Sequence, residues 1–335
     1  MHDPYLSVVV TSRNDDPTGE LDRRTTLFAA TLADQCREVG LPLELVVVDW
    51  NTPAGRPGLA DCLAWPGNAW LRTRIIVVPP EVHATFPNAA AIPLFQMIAK
   101  NVGIRRATGT FVLATNVDVL FSLELMAHLA GRTLDPMAMY RLDRCDILPG
   151  PGLEAPLAAR LRYCREHVIR IYGASKVLTP PPKQAFFPVG PEGFPSSPPL
   201  PGKEAGGEPY LHTNACGDFT LLAREAWLAL RGYPELPLRA FKLDGLLCYA
   251  AHYAGFRERL LASPMEVYHL EHGARGDGAD IALAPQPKSQ AGLLKFTHYP
   301  QAIDMMRHYR SPVLFNGHPD WGLADCSLSE WNAGE

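Results

Sequence analysis

The stretch Phe111-Val112-Leu113-Ala114-Thr115-Asn116-Val117-Asp118 decides how the chain is read. Four apolar residues, too few for a helix, give way at once to polar residues that end an extended segment. Ahead of it, Ile92 to Ala107 carries apolar residues at 92, 95, 98 and 102, a helical period, and Gly109 closes that helix. The same alternation continues toward the N-terminus. Leu6 to Thr11 is a β-branched run that stops at Ser12-Arg13-Asn14-Asp15-Asp16-Pro17, and Leu21 to Val39 reads as a long helix. Leu43 to Val48 runs into Asp49-Trp50-Asn51, and Thr73 to Val78 stops at Pro79-Pro80. Strands that are apolar on both faces and separated by helices predict an α/β fold with a mostly parallel central sheet covered by helices on both faces. Such sheets bind ligands outside the carboxyl ends of their strands. Asn14, Asp49 and Asp118 each lie just past such an end.

Downstream, Met139 to Leu142 reads as a strand and the arginine-rich Leu157 to Ile171 as a helix. Residues 179–209 hold ten prolines and five glycines, more than an element interior tolerates, so they are expected to form a long surface loop or lid. Thr220 to Ala223 is a short strand leading into a helix from Arg224 to Arg231, and Lys242 to Ala254 is a further helix. Phe256 to Leu270 reads as strand segments ending in His269-Leu270-Glu271-His272, and Ala302 to Tyr309 as an amphipathic helix.

Composition removes several classes of function. In 335 residues, 47% hydrophobic and 20% charged content is that of a globular chain. With 31 basic against 35 acidic residues there is no electrostatic footprint of a nucleic-acid binder. No apolar run approaches the roughly 20 residues of a transmembrane helix. Met1-His2-Asp3-Pro4-Tyr5 lacks the basic start of a secretory signal. Seven scattered cysteines without a C-x-x-C pair read as reduced thiols of a cytoplasmic protein and disfavour structural zinc. The turn after the first strand has no glycine before Gly19, which argues against a dinucleotide fingerprint; a phosphate-cradling P-loop is also absent. Phosphates must then be neutralised another way, and a carboxylate-held divalent cation is the usual one.

The segments Leu6–Asn14, Val46-Val47-Val48-Asp49, Lys100-Asn101-Val102-Gly103-Ile104, Gly109 to Leu113 and Asn116-Val117-Asp118 are followed in order by Gly217-Asp218-Phe219, Arg231-Gly232-Tyr233-Pro234-Glu235, Leu243-Asp244 and Tyr268-His269. Together they resemble the GT-A fold glycosyltransferases, family 2 in particular, over about residues 5 to 275. The resemblance implies one large domain, with residues 1–130 as the nucleotide-sugar-binding half and 131–280 as the acceptor-binding half. The Pro/Gly-rich loop is an insert in the second half, and 281–335 is a C-terminal extension. It further implies a metal-dependent enzyme that moves a sugar from a UDP-linked nucleotide sugar to the hydroxyl of a glycan, lipid or small-molecule acceptor.

Residue by residue, Asp118 matches the metal-binding second aspartate of the family's Asp-x-Asp motif, with Mn²⁺ or Mg²⁺ as cofactor, while Asn116 replaces the first. His269 is implied to complete the metal ligands, with His272 as its substitute. Ser12, Arg13, Asn14 and Asp49 are expected around the base and ribose, and Lys100 and Asn101 toward the nucleotide-sugar pocket. Gly217 and Asp218 are expected to border the donor sugar and the acceptor, Arg275 to contact the diphosphate, and the run Arg141 to Arg144 to face the acceptor. Asp244 matches the aspartate that deprotonates the acceptor hydroxyl, which implies inversion, although Leu243 stands where the family carries glutamate. Plainer roles compete: Asp49 as a turn former, Lys100 on a solvated helix face, Asp244 favouring a helix dipole. Two other readings stay open, a retaining transferase with the same metal site and a non-catalytic module that binds nucleotide sugars or glycans.

Overall fold

The structure, a computed structural model, describes residues 4–174, 177–178, 211–271 and 296–333. The Pro/Gly-rich stretch 179–209, His272 and Arg275 lie outside the described residues.

The first half follows the expected alternation: β1 (Leu6–Ser12), α1 (Glu20–Val39), β2 (Leu43–Trp50), β3 (Leu71–Val78) between the single turns α2 (Leu59–Cys62) and α3 (Pro80–His83), α4 (Gln96–Arg106) and β4 (Phe111–Ala114). Then come β5 (Val119–Phe121), α5 (Leu123–Ala130), β6 (Ala138–Leu142), β7 (Arg144–Ile147), α6 (Leu157–Glu166), β8 (Val168–Tyr172) and β9 (Val177–Leu178). The last part holds β10 (Thr220–Ala223), α7 (Arg224–Leu230), α8 (Leu243–Tyr253), β11 (Arg257–Leu261), β12 (Val267–Leu270), α9 (Tyr299–Tyr309) and β13 (Ser329–Asn332).

Eight strands form the main sheet in the order β11-β6-β10-β4-β1-β2-β3-β13. The pairs β4–β1, β1–β2, β2–β3 and β6–β11 are parallel, whereas β10 and β13 run against their neighbours. Every residue of β1 and β2 is buried, so both faces of these strands are covered, as a run apolar on both faces requires. The helix α4 lies on β1 and β2, and α1 packs against β3, β5 and α5. The expected mixed α/β architecture, a mostly parallel sheet flanked by helices, is the one observed.

Gly103 lets α4 approach the sheet. A β-carbon there would lie 2.5 Å from Val9 Cγ1 and 3.2 Å from Val48 Cγ2. Gly103→Ala is therefore expected to lower the unfolding free energy by about 1–3 kcal/mol, the usual cost of overpacking a close-packed core. Urea denaturation at constant m-value measures it.

Two expectations are corrected. The segment Leu157 to Ile171 is not one helix: α6 ends at Glu166, and β8 takes Val168 to Tyr172. Three β-branched residues, Val168, Ile169 and Ile171, favour the extended backbone there. The helix expected from Ile92 begins at Gln96, because Pro93 restricts the residue before it to extended conformations.

A second, five-stranded sheet, β5-β12-β7-β8-β9, sits where the main sheet ends. Three stretches of described chain lead from the main sheet into the second: β4 to β5, β6 to β7 and β11 to β12. The first crossing contains Asn116 and Asp118, the second leads into Arg144 and Asp146, and the third leads into the strand that carries His269.

Candidate active site

At this junction lies a cleft of about 560 Å³ whose walls include Ser12, Arg13, Arg24, Asn116, Asp118, Arg144, Asp218 and His269. Register explains why these meet. Across the second sheet, His269 of β12 pairs with Asp146 of β7, and Asp146 pairs with Arg170 of β8. Asp118 stands immediately before β5, and its carbonyl accepts the Leu270 N–H at 2.9 Å. His269 thus lies between two carboxylates, with Nε2 3.6 Å from Asp118 Oδ2 and Nδ1 3.2 Å from Asp146 Oδ1. Burial alone opposes charge on this imidazole, but the hydrogen bonds to Asp118 and Asp146 outweigh it and raise its pKa to about 10. Asp146, His269 and Glu271 each offer a ligand atom within 4.8 Å of the others.

Arg144 ties this group to the rest of the cleft. Its Nε lies 2.8 Å from Asp146 Oδ1 and its Nη1 2.6 Å from Asp218 Oδ2, while its guanidinium stacks 4.2 Å over the Tyr172 ring. Asp218 also accepts from Asn116 Nδ2 at 2.5 Å, and the Asn116 carbonyl accepts from Gln96 Nε2 at 2.9 Å. The Asn116 amide therefore bridges α4 to the loop before β10.

That loop is clamped from beneath. Lys100, fully buried on α4, donates to the Gly217 carbonyl at 2.6 Å, and Asp244 of α8 accepts the Gly217 N–H at 2.8 Å. Burial pulls the Lys100 ammonium down to a pKa of about 8, against the attraction of Asp218, Asp244 and Asp118. Burial likewise raises the Asp244 carboxyl above its ordinary value. Ala215, two residues before Gly217, holds the left-handed φ of 50°, which a residue with a β-carbon adopts only when its surroundings impose it.

A second cavity, of about 390 Å³, adjoins the first, and Asp16 and Arg24 line both. Its walls include Thr18, Arg23, Leu27 and Glu271. Asp16 ends the turn after β1 and accepts from Thr18 Oγ1 and N and from Leu21 N, bonds that lower its carboxyl to about 2.

No protein-family model and no curated protein sequence matches the chain. Among solved structures, it is similar to S. aureus TarS residues 1–349, alone at 16% identity and in complex with UDP at 15%, both with a TM-score of 0.41 and 79% of this chain covered. The chain spans 60% of the length of each TarS structure. It is also similar to the catalytic domain of Drosophila β1,4-galactosyltransferase 7 in complex with xylobiose, at 11% identity and a TM-score of 0.37, with 80% of this chain and 71% of that one covered. With TM-scores below 0.5, the reading of the site rests on its own side chains.

Of the residues singled out in the sequence, Ser12, Arg13, Asn116, Asp118, Asp218 and His269 come together on the cleft walls. Others are placed elsewhere. Both carboxylate oxygens of Asp49 are occupied locally, by Thr52 Oγ1 at 2.6 Å and the Leu59 N–H at 2.8 Å, and burial raises its pKa. Asn14 binds the Pro57 carbonyl and Arg56. Asn101 clasps Tyr233, donating to its carbonyl and accepting its N–H, both at 2.8 Å, and so fixes the turn after α7. Neither Lys100 nor Asp244 is among the lining side chains of the cleft. Arg141, fully buried, donates to the carbonyls of His212 and Asn214. The sequence reading missed Asp146, Glu271 and Arg24. A signal for Asp146 existed: Arg144-Cys145-Asp146-Ile147 alternates charged with apolar residues, which puts both charges on one face of a strand.

Proposed function

We propose that the chain is a glycosyltransferase that takes a sugar from a UDP-linked donor, with the cleft at the sheet junction as its active site. The observation that carries this reading is the convergence of Asp118, Asp146 and His269 at the carboxyl end of β4, beside the turn after β1. Hard carboxylate oxygens and an imidazole nitrogen suit Mn²⁺ or Mg²⁺. The donor set fits electrostatically as well, since two carboxylates face the one imidazole. Asp146, His269 and Glu271, whose ligand atoms lie within 4.8 Å of one another, are the residues that would hold the ion, and Asp118 faces the other nitrogen of the same imidazole. When bound, such an ion supplies positive charge to a departing diphosphate.

The chain's own groups do the rest. Ser12 and Arg13 at the end of β1 face the nucleoside, and the Asp218 carboxylate, fixed by Arg144 and Asn116, faces the sugar hydroxyls. The clamp of Lys100 and Asp244 on Gly217 holds Asp218 in that position before substrate arrives.

Transfer with inversion assigns Asp244 as the base for the acceptor hydroxyl. A second reading, transfer with retention at the same metal site, is favoured by one observation: Asp244 accepts the N–H groups of Gly217 and Gly245 and is not among the side chains lining the cleft. Screening nucleotide sugars by thermal shift with and without Mn²⁺ tests the function, because a ligand of the native state raises the melting temperature by mass action. The expected result is a shift with a UDP-sugar that requires Mn²⁺, followed by release of UDP on incubation. Equal shifts in Mn²⁺ and EDTA count against the metal site, and binding without UDP release identifies a binding module. The anomeric configuration of the product by proton NMR then separates inversion from retention.

A further inference from the structure

We propose that Arg24 is the anion-binding residue of the cleft and takes the phosphate oxygens of the nucleoside diphosphate; this rests on the donor reading above. Arg24 lies on α1 three residues after Leu21, which lines the larger cavity, and three before Leu27, which lines the smaller one. Residues at that spacing share a helix face, so the guanidinium stands where the two cavities meet.

Its environment is unlike that of every other cation in the cleft. Arg13 is bonded to Asp15 and to the Asn51 carbonyl, Arg144 to Asp146 and Asp218, and His269 to Asp118 and Asp146. Among the described residues Arg24 makes no hydrogen bond or ion pair, and its Nε is out of contact with solvent. Asp16 contributes only a longer-range attraction, because its oxygens are engaged by Thr18 and Leu21. A donor removed from water without an acceptor is unfavourable until a ligand provides one. The planar fork of an arginine matches two oxygens of a phosphate or pyrophosphate group, and a charge-assisted pair of this kind is roughly twice as strong as a neutral one.

The test is titration calorimetry with UDP, uridine and inorganic pyrophosphate on the wild type, Arg24→Gln and Arg37→Gln. Arg37, exposed on the same helix, paired with Asp34 and on the wall of neither cavity, is the control. Arg24→Gln is expected to weaken UDP and pyrophosphate roughly 10- to 100-fold, to leave uridine unchanged, and to melt at the wild-type temperature, while Arg37→Gln changes nothing. If Arg24→Gln melts early, Arg24→Lys keeps the stem and the charge but loses the fork, and is expected to weaken pyrophosphate by a smaller factor. UDP affinity within twofold of wild type in Arg24→Gln overturns this inference and leaves the donor reading standing. A wild type that binds pyrophosphate through Arg24 but neither UDP nor uridine overturns the donor reading and leaves the anion site standing. A wild type that binds none of the three overturns both.

Discussion

Replacing Asp118 with alanine is expected to abolish Mn²⁺-enhanced UDP binding and with it turnover, while the protein stays folded. Asp118 stands in the crossing from β4 to β5, with its side chain 15% exposed, so its loss opens no large cavity in the core. It does remove one of the two carboxylates that face His269. Loss of an outer-shell partner already lowers metal affinity roughly 10–100-fold, and loss of a carboxylate ligand is expected to exceed that. The same experiment has a pH signature. Without metal, His269 holds its proton up to about pH 10, so binding through its nitrogen must expel that proton at neutral pH. Mn²⁺ affinity is therefore expected to rise by about tenfold per pH unit between pH 6 and 8, with about one proton released per ion in calorimetry across buffers of different ionisation enthalpy. Asp118→Ala should retain neither the affinity nor the slope. An ion that binds Asp118→Ala as tightly as wild type would place the metal elsewhere.

Arg144→Leu is expected to be the most destabilising single change near the site, by about 3–5 kcal/mol in chemical denaturation. Two nearly buried carboxylates are paired with this guanidinium, their side chains 1% exposed at Asp146 and 8% at Asp218. The neighbours left to them, Arg170 and His269 at Asp146 and Asn116 at Asp218, replace it only in part. Removing one partner of a buried pair leaves the other charged and dry, which is worse than lacking both. Adding Asp218→Asn to Arg144→Leu is therefore expected to recover part of the loss, since Asn116 can still donate to an amide carbonyl at position 218. Additive losses in the double variant would show that Arg144 acts by packing on Tyr172 rather than by charge.

The parts of the fold that are local were legible. β1, β2 and β4 announce themselves as apolar runs with turn chemistry behind them, and α1 and α4 by period, because those signals lie within ten or twenty consecutive residues. Asp118 stood out as a polar residue just past an apolar strand, where parallel sheets open their clefts, while the metal roles of Asp118 and His269 followed from the motif resemblance. The boundary between α6 and β8 was missed because arginine at helical spacing masked a β-branched run.

What residues do across the chain was decided only by tertiary structure. Asp146 faces His269 because β7 and β12 pair in one register, and a shift by one residue would turn it to the opposite face. No local pattern encodes that pairing between strands so distant in sequence. Asp49, Asn101 and Asp244 looked alike in the sequence, as polar residues beside matching motifs. The fold gives each a carbonyl, hydroxyl or N–H partner that local reading could not supply: Thr52 and Leu59, Tyr233, and Gly217. Arg24 is the converse case. In the sequence it is one of two adjacent arginines on a helix, and only the packing of α1 shows that Arg23 finds Glu154 while Arg24 is left facing the cleft. Sequence specifies which groups are present and which elements carry them; burial and long-range pairing decide which of those groups still have a hydrogen bond to offer a ligand.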